Sequence, residues 1–312
     1  MKISIALCTY NGAKYLSEQL KSLKEQTLKA DEVVICDDNS SDNTVNVINE
    51  YKYKLNVKLT VNKINLGVTK NFEQAISLCE GDIIFLCDQD DVWHQDKIKI
   101  MSNRMVDETI GLCYCNGIVA DENLKQIGSH TLWGTSELVK VDFNKFSVYN
   151  LINYCYFTGM ALCFRASLKQ YFMPLSKNAV HDEWIAFIIS FVAKIAFVKE
   201  ELVIYRQHSN QQIGINSIKS SKEIWRLLRG YKIIKIEKEV GRFTDLITKM
   251  KELNAEEELI TELEKKLRHL KCRASRSIFR FIILTLELLL GKYKKHSNGG
   301  YKAFVKDLFA RK

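Results

Sequence analysis

Three carboxylates crowd into one short segment, Asp-Gln-Asp-Asp at residues 88–91, called the acidic loop below. It directly follows Ile-Ile-Phe-Leu at 83–86, an apolar run typical of a buried strand. Carboxylates this close repel one another and are costly to bury, so they are not core residues. After a strand they suit Mg²⁺ or Mn²⁺, cations that prefer oxygen ligands and commonly bridge carboxylates to nucleotide phosphates. The alternative is an acidic cap on the helix predicted over His94–Met105, but a cap needs only one Asp.

Asp182 precedes a second apolar-periodic helix and fits two roles. It could be a general base that takes a proton from a hydroxyl group, or a plain N-cap that binds the first helical N–H groups. Further along, Arg206 could bind a phosphate through two parallel N–H groups. His208 could touch the same phosphates or complete a metal shell, although an isolated His is more often a surface or core residue.

The elements that must position these residues alternate through the first third of the chain. Strands are predicted over 3–8, 32–36, 57–61 and 82–86, and helices over 13–26, 41–53 and 71–79. This alternation is typical of a mostly parallel sheet with helices on both faces. Ligands of such sheets bind at the carboxyl ends of the strands. Thr9-Tyr10-Asn11, Asp37-Asp38 and the acidic loop all follow strands, so we expect them to converge in one crevice.

The middle third is less regular. Strands are predicted over 111–116, 117–120, 156–164, 195–198 and 202–205, with a hairpin turn at 121–123 and a helix over about 182–193. From about Ser217 to the end the pattern is helical, and the single proline, Pro174, lies before that region. The pattern therefore predicts an α/β domain at 1–215 and a helical region at 216–312.

Composition is that of an ordinary folded protein: 312 residues, 46% apolar and 27% charged. The nine cysteines form an odd number with no C-x-x-C pair, which favours reduced thiols used as small hydrophobic residues. The first strand begins at once, with no signal-peptide pattern before it. These features predict a cytosolic protein.

Charge is distributed unevenly. Residues 217–312 carry 24 Lys and Arg against 12 Asp and Glu, whereas the first 216 residues carry 22 against 25. This argues against nucleic acid as the main partner of the body and suggests that the basic region meets an anionic surface. The same excess could serve solubility alone.

One C-terminal segment, Ser277–Leu290, is unusually apolar but too short to span a bilayer. Arg273, Arg280, Glu287 and Lys294 recur every seven residues, which predicts a narrow polar stripe opposite a wide apolar face. A helix lying in the plane of a membrane fits this pattern. A helix buried against its neighbours or against a partner chain fits it equally well.

Several motifs, in this order, resemble the family 2 glycosyltransferases, sugar-nucleotide-dependent enzymes of the GT-A fold. They are I-A-L-C-T-Y-N-G at 5–12, V-I-C-D-D-N-S-S-D at 34–42, N-L-G at 65–67, and G-D at 81–82 leading into the acidic loop, where 88–90 has the family's D-x-D spacing. The resemblance covers roughly residues 1–215. His-Asp-Glu-Trp at 181–184 and Tyr-Arg-Gln-His-Ser-Asn at 205–210 look most like bacterial rhamnosyltransferase-type members, although Glu183 stands where the family usually has Trp.

The resemblance implies a nucleotide site at the strand ends. Thr9, Tyr10 and Asn11 would lie beside the nucleotide. Asp37 would accept a hydrogen bond from the base, which favours uracil or thymine over cytosine. Asp38 would share that role or merely form the turn.

It also implies the chemistry. Asp90 would be the first ligand of Mg²⁺ or Mn²⁺, and Asp88 would bind the metal or the ribose. His208 would join the metal shell or the diphosphate, Asp91 would support the site or face the acceptor, and Asp182 would be the base. The metal would neutralise the leaving nucleoside diphosphate.

The expected activity is inverting transfer of a hexose or a rhamnose-like deoxyhexose from a UDP- or dTDP-sugar. The acceptor would be a cell-surface polysaccharide or a lipid-linked glycan at the inner face of the cell membrane, and a homo-oligomer is possible. The alternatives are a non-catalytic carbohydrate-binding or glycan-assembly protein and a sugar nucleotidyltransferase. The latter is disfavoured because residues 9–14 contain a single glycine, Gly12, where a Gly-rich triphosphate loop is typical. A serine hydrolase is disfavoured because no G-x-S-x-G motif exists.

Overall fold

The computed structural model describes residues 1–135, 142–154, 157–208, 233–275, 279–297 and 299–308. The chain divides into two compact units, Met1–Val148 with Tyr156–Ile215, and Tyr149–Cys155 with Asn216–Lys312. Parts of the predictions above fall on Tyr156, Ser209-Asn210, residues 217–232 and Ser277-Ile278, which lie outside the described residues.

The first unit is built on one sheet. Its strands are β1 (Ile3–Thr9), β2 (Glu32–Asp37), β3 (Val57–Val61), β4 (Ile83–Cys87), β5 (Val92–Trp93), β6 (Ile110–Ala120), β7 (Gln126–Thr131), β8 (Leu162–Arg165) and β9 (Lys194–Arg206). Its helices are α1 (Ala13–Lys24), α2 (Thr44–Tyr51), α3 (Val68–Leu78), α4 (Lys97–Arg104), α5 (Leu132–Thr135), α6 (Lys169–Phe172) and α7 (His181–Val192).

The strand order is β3-β2-β1-β4-β8-β6-β9-β5, with β7 paired to β6. Strands β3, β2, β1 and β4 are parallel, β8 is antiparallel to both β4 and β6, and β6 and β9 are parallel. Every residue of β2 and β4 is buried, because helices cover both faces of the sheet. The predicted mixed, mostly parallel sheet is confirmed.

Three predicted boundaries were wrong for identifiable reasons. The strand predicted over 156–164 is a 3₁₀ turn at Gly159–Ala161 followed by the short β8, because the Gly159 N–H binds a side chain instead of a neighbouring strand. The strands predicted over 195–198 and 202–205 are the single strand β9. Its pairing with β6 jumps from Val198 to Glu201 at a bulge that contains two exposed polar residues. The two strands predicted over 111–120 are likewise the single strand β6.

The second unit is helical. It contains α8 (Ile233–Glu252), α9 (Glu257–Arg273), α10 (Arg280–Leu289), α11 (Lys292–His296) and α12 (Tyr301–Leu308). Leu284, Tyr293, Ala303 and Phe304 form a buried apolar cluster that joins α10, α11 and α12. Within the described ranges, no helix is long and apolar enough to cross a membrane.

Helix α10 turns its polar side inward. Glu287 is buried and binds His269 Nδ1 at 2.7 Å, while Arg273 pairs with the buried Asp307 at 2.6 Å. The predicted stripe does not lie on one helix: Arg273 ends α9, Glu287 lies on α10 and Lys294 lies on α11, and of these only Lys294 is exposed. The large apolar residues on the opposite side are exposed; this outer face of α10 consists of Phe281, Ile282, Leu286, Leu289 and Leu290. The apolar residues of α10 are thus divided: Leu284 packs against the neighbouring helices, whereas the outer face is exposed.

Candidate active site

The carboxyl ends of β1, β2 and β4 meet at one edge of the sheet, as predicted. Thr9 pairs with Asp37 across β1 and β2, and Leu7 pairs with Cys87 across β1 and β4. This parallel register places Thr9-Tyr10, Asp37-Asp38 and the acidic loop around one crevice.

Asp37 is buried at the end of β2, and the protein already supplies donors to both of its oxygens. The Thr9 hydroxyl donates to Oδ2 at 2.7 Å, and the Ser40 N–H donates to Oδ1 at 2.8 Å. The Ser40 hydroxyl adds a 2.6 Å bond to Oδ2. These bonds hold the turn after β2 in place, and the contact of Asp37 with a nucleotide base stays a prediction.

Asp38 organises the loop that carries the N-L-G motif. Its carboxylate accepts the N–H groups of Leu66 at 2.7 Å and Gly67 at 2.9 Å, and the Asn62 side-chain amide at 3.0 Å. Gly67 has φ +82°, a backbone conformation that favours glycine. Asp38 thus holds the loop before α3, a role that the sequence did not predict, while the adjacent turn at Ser40 is bound by Asp37. The contact of Asp38 with a nucleotide base stays a prediction.

Gln89 joins the end of β1 to the acidic loop, a role that sequence reasoning missed. Its Oε1 accepts the Tyr10 N–H at 2.8 Å and its Nε2 donates to the Tyr10 carbonyl at 3.1 Å. A Cβ at residue 12 would lie 2.1 Å from the same Oε1, so a larger residue there would displace the Gln89 amide from its bonds to Tyr10. The sequence feature that could have indicated this role is the amide of Gln89, which stands among the three carboxylates of the acidic loop.

Tyr10 and Asn11 line the rim of the crevice. The Tyr10 side chain is 44% exposed, which leaves its ring accessible to a ligand. Asn11 has φ +47°, and its side-chain oxygen accepts the Ser41 N–H at 2.8 Å. Asn11 therefore links the first motif to the second.

Asp90 and His208, two predicted metal ligands, are in direct contact. His208 Nε2 lies 2.8 Å from Asp90 Oδ2, at side-chain exposures of 7% and 15%. The helix-cap alternative for the acidic loop is wrong, because β5 separates the loop from α4, which begins only at Lys97.

Asp91 lies behind the crevice and is fully buried. Its Oδ1 accepts the Arg206 N–H at 3.0 Å, while its Oδ2 has no hydrogen-bond partner within the described part of the chain. Burial raises the pKa of Asp91 well above its ordinary value, and repulsion from Asp90 and Asp88 raises it further. Asp91 thus supports the loop from behind.

Arg206 is buried and bound to the protein on several sides. Its Nε donates to the Asp90 carbonyl at 2.7 Å, its Nη1 to the Glu122 carbonyl at 2.6 Å, and its Nη2 to the Glu18 carboxylate. The guanidinium also lies over the Tyr15 ring, 4.6 Å from its centroid. Arg206 therefore positions the acidic loop, and its contact with a phosphate stays a prediction.

Asp182 joins the crevice from α7. Its Oδ2 accepts the Gly159 N–H at 2.9 Å and its Oδ1 accepts the Glu183 N–H at 2.7 Å. The N-cap alternative is wrong, because the N-cap position of α7 is Val180 and Asp182 lies inside the first turn. Burial raises the pKa of Asp182 to about 6, and the two backbone N–H groups oppose this rise.

Asp88 faces both Asp90 and Asp182. Burial is the main cause that raises its pKa, to about 8, and repulsion from Asp90 and then Asp182 adds to the rise. The acidic loop and Asp182 are far apart in sequence, yet the charge of Asp182 raises the pKa of Asp88.

The residues fit a hard divalent cation. Asp88 and Asp90 offer oxygen ligands whose mutual repulsion a cation would relieve, and His208 is adjacent. Within the described ranges, no group of three or more His, Cys, Asp or Glu side chains is arranged to hold an ion by itself.

A mostly parallel sheet with polar loops at the carboxyl ends of its strands is the arrangement expected of the sugar-nucleotide-dependent class that the motifs resemble. Residues 4–172 match the family described as Glycosyl transferase family 2, and the chain belongs to that family. This confirms the resemblance seen in the motifs.

Two relatives indicate the range of the family. The dTDP-rhamnosyl transferase RfbG of Shigella flexneri is 29% identical over 229 residues, which cover 67% of this chain and 74% of RfbG. The UDP-Glc:alpha-D-GlcNAc-diphosphoundecaprenol beta-1,3-glucosyltransferase WfgD of Escherichia coli is 29% identical over 121 residues, 39% of this chain and 47% of WfgD.

Solved structures confirm the GT-A fold. Staphylococcus aureus TarS 1–349, in complex with UDP-GlcNAc, superposes with a TM-score of 0.60 at 18% identity, covering 89% of this chain and 75% of TarS. The mannosyltransferase PcManGT of Pyrobaculum calidifontis, in complex with GDP-Man and Mn²⁺, gives a TM-score of 0.55 at 17% identity, covering 98% and 85%.

Proposed function

We propose that this chain is an inverting, metal-dependent glycosyltransferase that moves a hexose or deoxyhexose from a UDP- or dTDP-sugar to a cell-surface or lipid-linked glycan. The observation that carries the proposal is the half-buried Asp182, held by two backbone N–H groups and electrostatically coupled to Asp88 of the acidic loop. A base candidate and a diphosphate-binding candidate thus share one crevice.

Asp182 is suited to be the base. With a pKa of about 6 it is ionised at neutral pH yet basic enough to accept a proton as an acceptor hydroxyl attacks the anomeric carbon. The attack comes from the face opposite the leaving nucleoside diphosphate, so the new bond has inverted configuration. The proton of the hydroxyl goes to Asp182 Oδ, and the bonding electrons of the broken bond leave with the diphosphate.

Asp88, Asp90 and His208 are the residues that would hold Mg²⁺ or Mn²⁺. The ion, when bound, neutralises the charge that develops on the diphosphate. The Mn²⁺ in the PcManGT complex, on the same fold, supports this assignment.

The donor class rests on Asp37 and on the relatives. A carboxylate acceptor at the base favours the N–H of uracil or thymine, and RfbG and the TarS complex carry dTDP and UDP in their names. RfbG further supports a rhamnose-like sugar, and WfgD supports a lipid-linked acceptor.

A thermal-shift screen tests the donor and the metal. We expect a UDP- or dTDP-sugar to raise the melting temperature only when Mn²⁺ is present, since a ligand stabilises the state that it binds. Stabilisation by GDP-sugars alone would contradict the role of Asp37. An equal rise of the melting temperature in the presence of EDTA would contradict the proposal that donor binding needs a metal ion.

Replacement of the base tests the activity. Asp182→Asn keeps the shape of the side chain but cannot accept the proton, so we expect turnover to fall about 10²–10⁴-fold. Binding of the stabilising sugar nucleotide should persist. Glu183→Gln, the adjacent carboxylate, is the matched control and should keep most of the turnover. Wild-type turnover in Asp182→Asn would show that Asp182 is not the base, whereas no turnover in the wild type would favour the non-catalytic alternative.

The second unit supplies a surface for the membrane. The outer face of α10 exposes Phe281 at 67% and Leu289 at 77%, and the exposed Lys294 and Lys295 follow it directly. Apolar side chains beside lysines suit the headgroup region of an anionic bilayer. This supports peripheral attachment at the inner face of the cell membrane.

A further inference from the structure

Lys97 is a fully buried lysine that none of the roles above uses. It is the first residue of α4, and its Nζ lies 3.6 Å from the centroid of the Trp93 ring. Its ammonium also donates to the Met160 carbonyl. Burial of a charged group is unfavourable unless the group is bound, so this arrangement calls for an explanation.

The Met160 carbonyl belongs to the same short turn that holds Asp182. In this turn, Gly159–Ala161, the Gly159 N–H donates to Asp182 Oδ2 at 2.9 Å, and the next residue accepts from Lys97. Two successive residues therefore connect the buried ammonium of Lys97 to the half-buried carboxylate of Asp182.

The turn has little freedom on its other side. A Cβ at residue 159 would lie 2.8 Å from His181 Nε2, so the backbone passes close against that ring. His181 is itself buried and stacks on Phe72 with ring centroids 3.8 Å apart. Without Lys97 the buried Met160 carbonyl would lose its donor, and the turn would shift to find another.

Lys97 is also electrostatically coupled to the acidic loop. Its positive charge lowers the pKa of Asp88 and of Asp91, against the larger effect of burial. Lys97 therefore contacts the turn that holds Asp182 and also interacts electrostatically with the acidic loop.

We infer that Lys97 is a positioning residue for the base: through the Met160 carbonyl it holds the Gly159 N–H in place and so orients the Asp182 carboxylate. The inference rests on the proposed role of Asp182. It predicts that loss of Lys97 reduces the rate of transfer without reducing binding of the donor.

Lys97→Met, which keeps length but removes charge and donor, tests this inference. The matched control is Lys169→Met, because Lys169 also donates to main-chain carbonyls, those of Ile76 and Cys79, but away from the crevice. Turnover is measured as release of nucleoside diphosphate from the sugar nucleotide found in the thermal-shift screen. Lys97→Met should lower kcat about 10–100-fold, since a misplacement of about 1 Å can cost 10²-fold, and leave the Kd for that donor within about threefold. Lys169→Met should leave both near wild type.

A double variant separates positioning from general destabilisation. If Lys97 acts through Asp182, Lys97→Met should reduce the residual turnover of Asp182→Asn no further. A full additional loss of turnover in the double variant, or a wild-type kcat in Lys97→Met, would overturn the inference. If Asp182→Asn is inactive in the same assays, the proposed function still stands. Wild-type turnover in Asp182→Asn would overturn both the inference and the proposed role of Asp182 as the base.

Gly159→Ala covers the case in which Lys97→Met does not fold. The added Cβ pushes the turn away from His181 at the surface opposite Lys97. The same pattern is expected, a lower kcat with an unchanged donor Kd, and an unchanged kcat would overturn the inference.

Discussion

At the scale of single residues, Asp88 and Asp182 are two carboxylates of the crevice whose pKa values differ. Burial and the repulsion from Asp90 and Asp182 raise the pKa of Asp88 to about 8, so this group is largely protonated at neutral pH when nothing is bound. Asp182, with a pKa of about 6 and two backbone donors, is largely ionised. Two carboxylates with separated pKa values can serve separate roles, one as a base and one as a ligand that loses its proton when a cation binds.

The pH dependence of turnover should reveal Asp182. Its protonated form cannot act as a base, so kcat/KM should rise with pH through about 6 and level off above it. Rates measured from mildly acidic to mildly alkaline pH test this expectation. The residual turnover of Asp182→Asn should not show this rise of kcat/KM at acidic pH. If the variant showed the same rise, the titrating group would be a residue other than Asp182.

The charge on Asp88 should oppose folding. Its pKa is raised in the folded state, so its contribution to stability is present below the ordinary value of 3.8 and is lost as pH rises through about 8. Asp88→Asn should therefore raise the melting temperature in EDTA at alkaline pH, by about 2–4 °C per kcal/mol of relieved repulsion, and abolish turnover. The exposed-site control Glu50→Gln should change neither. A lower melting temperature in Asp88→Asn would contradict the raised pKa.

At the scale of elements, the parallel register of β1, β2 and β4 brings three loops together, and polar side chains lock them. Gln89 binds both main-chain groups of Tyr10, while Asp38 binds the loop before α3. Arg206, at the end of β9, binds the acidic loop from the other side. The crevice is thus held by side-chain bonds between elements that are distant in sequence.

Variants of Gly12 and Gln89 should show that the end of β1 and the acidic loop stabilise each other. Gly12→Ala places a Cβ 2.1 Å from Gln89 Oε1 and should destabilise the protein by about 1–3 kcal/mol, as overpacking does. Gln89→Ala should cost about 1 kcal/mol per lost bond. In the double variant the clash is absent, so urea unfolding should show a smaller loss than the sum of the single losses. Additive losses would mean that the two residues do not interact.

At the scale of the whole molecule, the two units differ in charge and surface. The first carries the crevice, and the residues from 217 onward carry 24 basic against 12 acidic residues. Inward-facing polar groups of the second unit, Glu287 with His269 and Arg273 with Asp307, leave the outer face of α10 apolar. An exposed apolar face of this kind favours contact with a lipid surface.

Binding to vesicles tests that contact. Phe281→Ser combined with Leu289→Ser should abolish sedimentation with anionic vesicles, and removal of residues 217–312 should do the same. Val106→Ser, at an apolar residue of the first unit that is 71% exposed, is the matched control and should bind as wild type. Unchanged binding of the double variant would contradict the proposal. Loss of self-association in that variant, with no vesicle binding in the wild type, would identify a second copy as the partner.

The alternation of strands and helices, the strand-end polar residues and the family motifs could be predicted because they depend on neighbouring residues. Apolar periodicity identified β1 to β4, and the topology of a parallel sheet then implied that Thr9, Asp37 and Asp88 would meet. The excess of basic residues after 217 is likewise a property of the sequence alone.

Tertiary structure alone decided what each polar group binds, because those partners are distant in sequence. The sequence could not show that Val180, and not Asp182, is the N-cap of α7. Nor could it show that the Arg206 side chain donates to Asp90, Glu122 and Glu18. Helix periodicity showed that α10 has two faces but not which one faces solvent. That depends on the buried partners of Glu287, which only the packing of the other helices supplies.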